Sequence, residues 1–284
     1  MTLRTLPEAT TFQRPQNFQW DAPSDVLAKW AEMPLAAANQ DAETITMFDV
    51  IGEDFWTGGG VTAKRVAGAL RTIGDKDVRV QINSPGGDLF EGIAIYNLLR
   101  AHKAKVTVEI LGWAASAASI IAMAGDEIRM GIGTFMMVHN AWGMVIGNRH
   151  DLAEAAKLFE TFDSAITDIY EARTGSKRKD IVALMDAETF MAPSEAVKNG
   201  FADVVDDKLE AGTGDTKNMD RSLMARRQTE AALARAGFSR DKRSEILGEI
   251  GAKTAPRDAS RHHAARDAGV PNAALLQLIN TFKI

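Results

Sequence analysis

Between residues 44 and 125 the apolar positions change period repeatedly, and each change marks a new element. ITMFDVIG (45–52) reads as a strand, DVRVQIN (77–83) alternates as a half-buried strand does, and KVTVEILG (105–112) is the next. Between them VTAKRVAGALRTI (61–73) sets Val66, Ala67, Leu70 and Ile73 at helical spacing, just after Gly58-Gly59-Gly60. LFEGIAIYNLLRA (89–101) is an amphipathic helix that follows the tight turn SPGGD (84–88), and SAASIIAMAG (116–125) is a third, apolar helix. Strand and helix alternate three times, which predicts an α/β fold with a parallel sheet and right-handed crossovers.

Downstream, DEIRMG (126–131) and TFMMVHN (134–140) are short β-prone pieces. A long helix follows over 151–174, with Leu152, Ala155, Phe159, Phe162, Ile166 and Ile169 on one stripe and Gly175 as its stop. RKDIVALMD (178–186) predicts another helix, and Pro193 and Gly200 bracket a short one. Three regions result: an N-terminal arm over 1–43, a body over 44–206, and a linker with a helical tail over 207–284. In the arm, Pro23-Ser24-Asp25 opens a short helix through Trp30 that Pro34 ends. In the tail, EAGTGDTKN (210–218) is the linker, and helical segments are expected at 221–238, 239–251 and 272–282.

Composition narrows the function classes. The chain has 284 residues, 45% hydrophobic and 25% charged, as soluble globular proteins do. Its longest apolar stretch, Ser119–Gly125, is far short of the roughly 20 residues of a membrane span. The opening residues lack the apolar core of a secretory signal, and the absence of cysteine removes disulfides, thiolate chemistry and cysteine-metal sites. The net charge of −5 is uneven: 207–284 carries 14 Lys and Arg against 10 Asp and Glu, leaving 19 against 28 elsewhere. At this density a basic tail reads as solvated helix faces rather than a nucleic-acid surface.

Within this frame a few residues carry chemistry. Of five histidines, His139 alone follows an apolar strand-like run. Ser116 falls where a strand becomes a helix, flanked by alanines that let a carbonyl approach, and an imidazole is the usual base for such a hydroxyl. Ser119, one turn on, is the competing hydroxyl and is expected to be packed. Gly86-Gly87 would let backbone amides face an oxyanion unobstructed. Asp186 and Glu188, on the loop before SEAVKNG, both qualify to orient the imidazole, and spacing alone does not choose between them.

INSPGGD, GWAASAAS, MMVHN and ETFMAPSEAVKNGFAD, in that order, resemble the Clp protease proteolytic subunit family of serine peptidases. The likeness covers roughly 44–206 and is greatest to the branch of phage and prophage head maturation proteases. It implies a crotonase-like α/β superhelix, with Ser116 as nucleophile, His139 as base, and the amides of Gly87 and Ala117 as oxyanion donors. Where better-known members carry an aspartate two residues before an aromatic, this chain has Glu188 before Phe190, so Glu188 falls on the acid and Asp186 stands in reserve. Asn140-Ala141 replaces a Gln-Pro pair after the histidine, and Ala192 replaces a Ser or Thr cap.

The resemblance implies a serine endopeptidase that needs no metal, cofactor or nucleotide. The substrates would be capsid or scaffold proteins, in the host cytoplasm or an assembling prohead. It also implies self-association into rings through the long helix, and it leaves an unfoldase partner open. The rival readings are an acyl-CoA enzyme on the same fold and a non-catalytic assembly protein.

Overall fold

The computed structural model describes residues 18–20, 26–27, 43–53, 60–209 and 221–254. The linker at 210–218, the segment 272–282, Gly58-Gly59 and most of the arm, including all but Val26 and Leu27 of its expected helix, lie outside the described residues. The chain divides into two compact units, Met1–Glu249 and Ile250–Ile284. Of the second unit only 250–254 is described, as helix.

The expected alternation is present. Strands β1 (Phe18–Trp20) and β2 (Thr44–Met47) precede helix α1 (Ala63–Ile73), then β3 (Val78–Ser84), α2 (Leu89–Arg100), β4 (Val106–Ala115) and α3 (Ala117–Ala122). Then come β5 (Glu127–Gly131), β6 (Phe135–Val138), β7 (Gly143–Val145), α4 (Arg149–Thr174), α5 (Arg178–Asp186), β8 (Thr189–Met191), α6 (Pro193–Lys198) and β9 (Val204–Asp206). Two tail helices, α7 (Arg221–Arg235) and α8 (Arg240–Thr254), close the described chain.

Strands run in the order β2-β3-β4-β5-β9, all pairs parallel. Strand β4 is long enough to serve two partners. Thr107–Ile110 pairs with β5, whereas Trp113–Ala115 pairs with β6, which in turn holds β8 antiparallel. The fork places the end of β4 beside the end of β6, bringing residue 116 toward residue 139. Two sequence expectations shift here. The strand expected to stop at 112 runs on through 113–115, and β7 was not foreseen because its antiparallel partner, β1, lies some 120 residues earlier.

Both faces of this end of the sheet are apolar. One face carries Ala114, Met136, Val138 and Met191 into the main core with Ile82, Ile110, Ile121, Phe162 and Ile166. The other carries Trp113, Ala115 and Met137 into a smaller cluster with Val26, Leu27, Val50 and Ala231 of α7. Arg227, also on α7, donates from Nη2 to the Phe48 carbonyl at 2.7 Å, tying the tail helix to the body.

Helix α4 begins with a capping box at Asn148 and Asp151 and ends at Gly175. Of its expected stripe, Ala155, Phe162 and Ile166 are buried, while Leu152 stays 49% exposed near the free N-terminal turns. Phe162 packs edge-on against Phe90, with ring centroids 5.5 Å apart. Asp163, one residue on, accepts the Ala141 amide at 2.6 Å and so anchors the loop after β6. Burial, reinforced by Asp186 and Glu160, holds the Asp163 carboxyl above the usual aspartate range, against the opposing pull of the Ala141 amide.

Phe162→Ala should lower unfolding stability by about 3–5 kcal/mol in equilibrium urea denaturation, as large-to-small changes at packed aromatics do. A midpoint like the wild type's would show that the ring is not a core element. A raised folded-state pKa at Asp163 means its stability contribution is complete below the ordinary aspartate value near 4 and fades as pH rises through the raised value. The stability difference between Asp163→Asn and the wild type should therefore move in the variant's favour over that window. A difference constant with pH would refute the assignment.

Candidate active site

The turn 84–88 is built by its own side chains. The buried Ser84 hydroxyl donates to the Asp49 carbonyl at 2.6 Å and accepts the Gly86 amide at 3.2 Å. Asp88 caps α2 by accepting from the amides of Phe90 and Glu91 at 2.9 and 3.2 Å. Asn83 Oδ1 takes the Trp113 amide at 3.1 Å, where the β3–β4 register shifts. The motif INSPGGD thus ties the turn to β4 at one end and to α2 at the other.

Gly86 and Gly87 are required by space as well as by φ. Gly86 has φ +89°, and a Cβ there would lie 2.6 Å from both the Ala115 carbonyl oxygen and the Ser116 Cβ. At Gly87, φ +146°, a Cβ would lie 2.2 Å from the Ile51 carbonyl oxygen. The turn therefore packs directly on the residue that follows β4.

That residue, Ser116, has φ 54° and ψ −127°. A non-glycine residue held in a sparse backbone region costs on the order of 1–3 kcal/mol and persists only where the surroundings impose it. Its amide donates to the Met137 carbonyl at 3.0 Å, joining it to β6. Its carbonyl accepts the amides of Ser119 and Ile120 at 2.9 and 3.3 Å, and the Ser119 hydroxyl at 2.6 Å. Among the described residues only one other non-glycine residue has positive φ: Glu188, at 47°.

The Ser116 Oγ lies 2.6 Å from Nε2 of His139. Sequence alone picked this pair from a strand–helix junction and an apolar run. The fork of β4 joins them across 23 residues. His139 is 7% exposed, and the following loop is fixed by Asp163 through Ala141. With Nε2 accepting the serine proton, Nδ1 carries the ring hydrogen, the tautomer a general base requires. The two atoms open onto a recess of about 20 Å³ lined by Gly87, Ala117, Ala141, Trp142, Ile166 and Tyr170, among others. This volume holds about one water.

Gly87 and Ala117 line the same recess as Ser116 and His139. Ser119 is fully buried and hydrogen-bonded to both the Ser116 carbonyl and the Tyr170 hydroxyl, at 2.6 and 2.8 Å, so it is packed as expected. Asp186 accepts from the Asn140 side chain at 2.8 Å. Glu188 is exposed on the turn between α5 and β8. Three contributors were not singled out by sequence reasoning: Asn83, Asp163 and Tyr170. Each acts through a contact 22 or more residues away, which no local pattern reveals. Among the described residues no group of three or more His, Cys, Asp or Glu could hold a metal ion, and no helix is long and apolar enough to cross a membrane.

The chain is similar to known proteins in sequence and in fold. The sequence model of the Clp protease family matches residues 62–208. The ATP-dependent Clp protease proteolytic subunit of Deinococcus radiodurans is 33% identical over 142 residues, covering 49% of this chain and 70% of that protein. A solved structure of a ClpP1 point mutant from Listeria monocytogenes superposes with a TM-score of 0.52 at 21% identity, covering 60% of this chain and 95% of that one. That likeness concerns the fold alone, the crotonase-like arrangement of βα units. The family match spans α1 to β9 and takes in Ser116 and His139 with Asn83, Asp163 and Tyr170: this chain belongs to the Clp protease family.

Proposed function

We propose that the body, residues 44–206, is a serine endopeptidase in which Ser116 attacks and His139 transfers the proton. The observation that carries this reading is the 2.6 Å contact between Ser116 Oγ and His139 Nε2, with the backbone of Ser116 held at positive φ beside the glycine turn. Family membership supports the same activity class, a serine-type peptidase.

The steps follow from the atoms present. Nε2 of His139 takes the Ser116 proton as Oγ bonds to the substrate carbonyl carbon, leaving a tetrahedral oxyanion and an imidazolium. The amides of Gly87 and Ala117 receive that oxyanion. Donors already in place stabilise the transition state without reorganising, at roughly a hundredfold or more in rate each. The imidazolium then protonates the departing amine, the carbon–nitrogen bond breaks, and an ester to Ser116 remains. A water deprotonated by His139 hydrolyses that ester, and the returned proton restores the serine. No nucleotide, metal or organic cofactor enters these steps.

Glu188 is the proposed third member, orienting the imidazole and stabilising its charged form. Its positive φ, shared with the nucleophile, supports this choice over Asp186, whose carboxylate already serves Asn140. Clp family proteins assemble into rings and act on proteins, and self-association is part of this reading. The finer assignment, maturation of capsid or scaffold proteins in the host cytoplasm or a prohead, rests on the motif likeness. The N-terminal arm and basic tail, treated as segments outside the protease body, accord with it.

Ser116→Ala should abolish fluorophosphonate adduct formation and lower peptide hydrolysis about a thousandfold or more, with oligomeric state unchanged by light scattering. An adduct that persists and maps to another serine would overturn the assignment. Glu188→Gln should reduce kcat while Asp186→Asn leaves it near wild type; the opposite ranking would transfer the role to Asp186. Co-expression with a capsid protein, read by intact mass, tests the substrate. An uncut capsid chain beside an active peptidase would rule out head maturation.

A further inference from the structure

The nucleophile's backbone is held from outside its own helix. Helix α3 has six residues, and Ser116, at its N-cap, makes no side-chain capping bond. Ser116 presents its carbonyl to three donors, and the shortest of these bonds comes from a side chain, the Ser119 hydroxyl at 2.6 Å. That oxygen also lies 2.8 Å from the hydroxyl of Tyr170, a buried side chain near the C-terminal end of α4.

The direction of the chain is fixed by proton count. A carbonyl oxygen only accepts, so Ser119 must spend its single hydroxyl hydrogen on Ser116. The Tyr170 phenol is therefore the donor to Ser119. Burial holds that phenol well above the usual tyrosine range, so it remains protonated and able to donate throughout the working pH. Successive hydrogen bonds in a buried chain polarise and strengthen one another. Tyr170 is itself fixed by edge-on packing against Phe201, with centroids 5.3 Å apart, and its side chain lines the recess beside Ser116.

We infer that Tyr170 and Ser119 are positioning residues for Ser116. The relay Tyr170 O–H to Ser119 O–H to the Ser116 carbonyl clamps the backbone from which Oγ reaches His139. Neither side chain reacts. The relay makes the long helix α4 a structural support of the nucleophile, so a change in α4 is felt at Oγ. This inference rests on Ser116 being the nucleophile.

The test compares the wild type with Tyr170→Phe, Ser119→Ala and the double variant in the full chain. Tyr170→Phe and Ser119→Ala should each slow fluorophosphonate labelling of Ser116 and lower kcat on a quenched-fluorescent peptide about tenfold, with KM unchanged. The double variant should be no slower than the slower single, since both break one chain. A crystal structure of Tyr170→Phe should show Ser116 displaced from φ near 54° or Oγ withdrawn from Nε2. Wild-type labelling and kcat in a folded Tyr170→Phe variant, even with a lowered Tm, would overturn the inference, as would fully additive losses. Absence of labelling in the wild type itself would defeat the peptidase reading instead. The crystal structure then decides the positioning claim alone, and an unaltered Ser116 would refute it.

Discussion

A hydroxyl becomes a useful nucleophile only when the base beside it and the backbone beneath it are both held still. Here that requirement falls on one peptide unit, Ser116, whose φ lies where side chains other than glycine are disfavoured. Its amide is bound to β6, its carbonyl to the first turn of α3, and its Cβ abuts the glycine turn. Three independent elements meet there, and the sheet fork at the end of β4 makes their meeting geometrically possible.

The fork explains the otherwise odd distribution of small residues. Ala114, Ala115, Ala117 and Ala118 are all buried, on alternate faces of the strand and then around the short helix. Larger side chains would separate β4 from β6 or push the turn at Gly86 away. Bulk returns one layer out, in Trp113 with Phe190 on one face and Phe162 with Phe90 on the other. The aromatic pairs give the site a stiff surround, while the alanines allow backbone to approach backbone.

Much of this arrangement could be read before any coordinates. Hydrophobic period located β3, α2, β4 and most of α4, because those elements bury one face and local spacing encodes a face. Ser116 and His139 stood out because hydroxyl and imidazole were placed at the ends of apolar strands. What escaped were features made by distance along the chain. The β1–β7 pair spans more than 120 residues, Arg227 reaches Phe48 across 179, and Tyr170 reaches Ser119 across 51. Leu152 misled for a related reason: it continues a helical stripe whose N-terminal turns extend past the core that would have covered it.

The contact between Gly86 and Ser116 also limits how such a site can be silenced. The turn and the serine are too tightly interlocked, within 2.6 Å for any added Cβ, for one to drift without dragging the other. Any change that reaches the turn therefore reaches the nucleophile's backbone as well. The imidazole, by contrast, leads into the loop after β6, which is tied to α4 by the Ala141 amide on the Asp163 carboxylate and to α5 by Asn140 on Asp186.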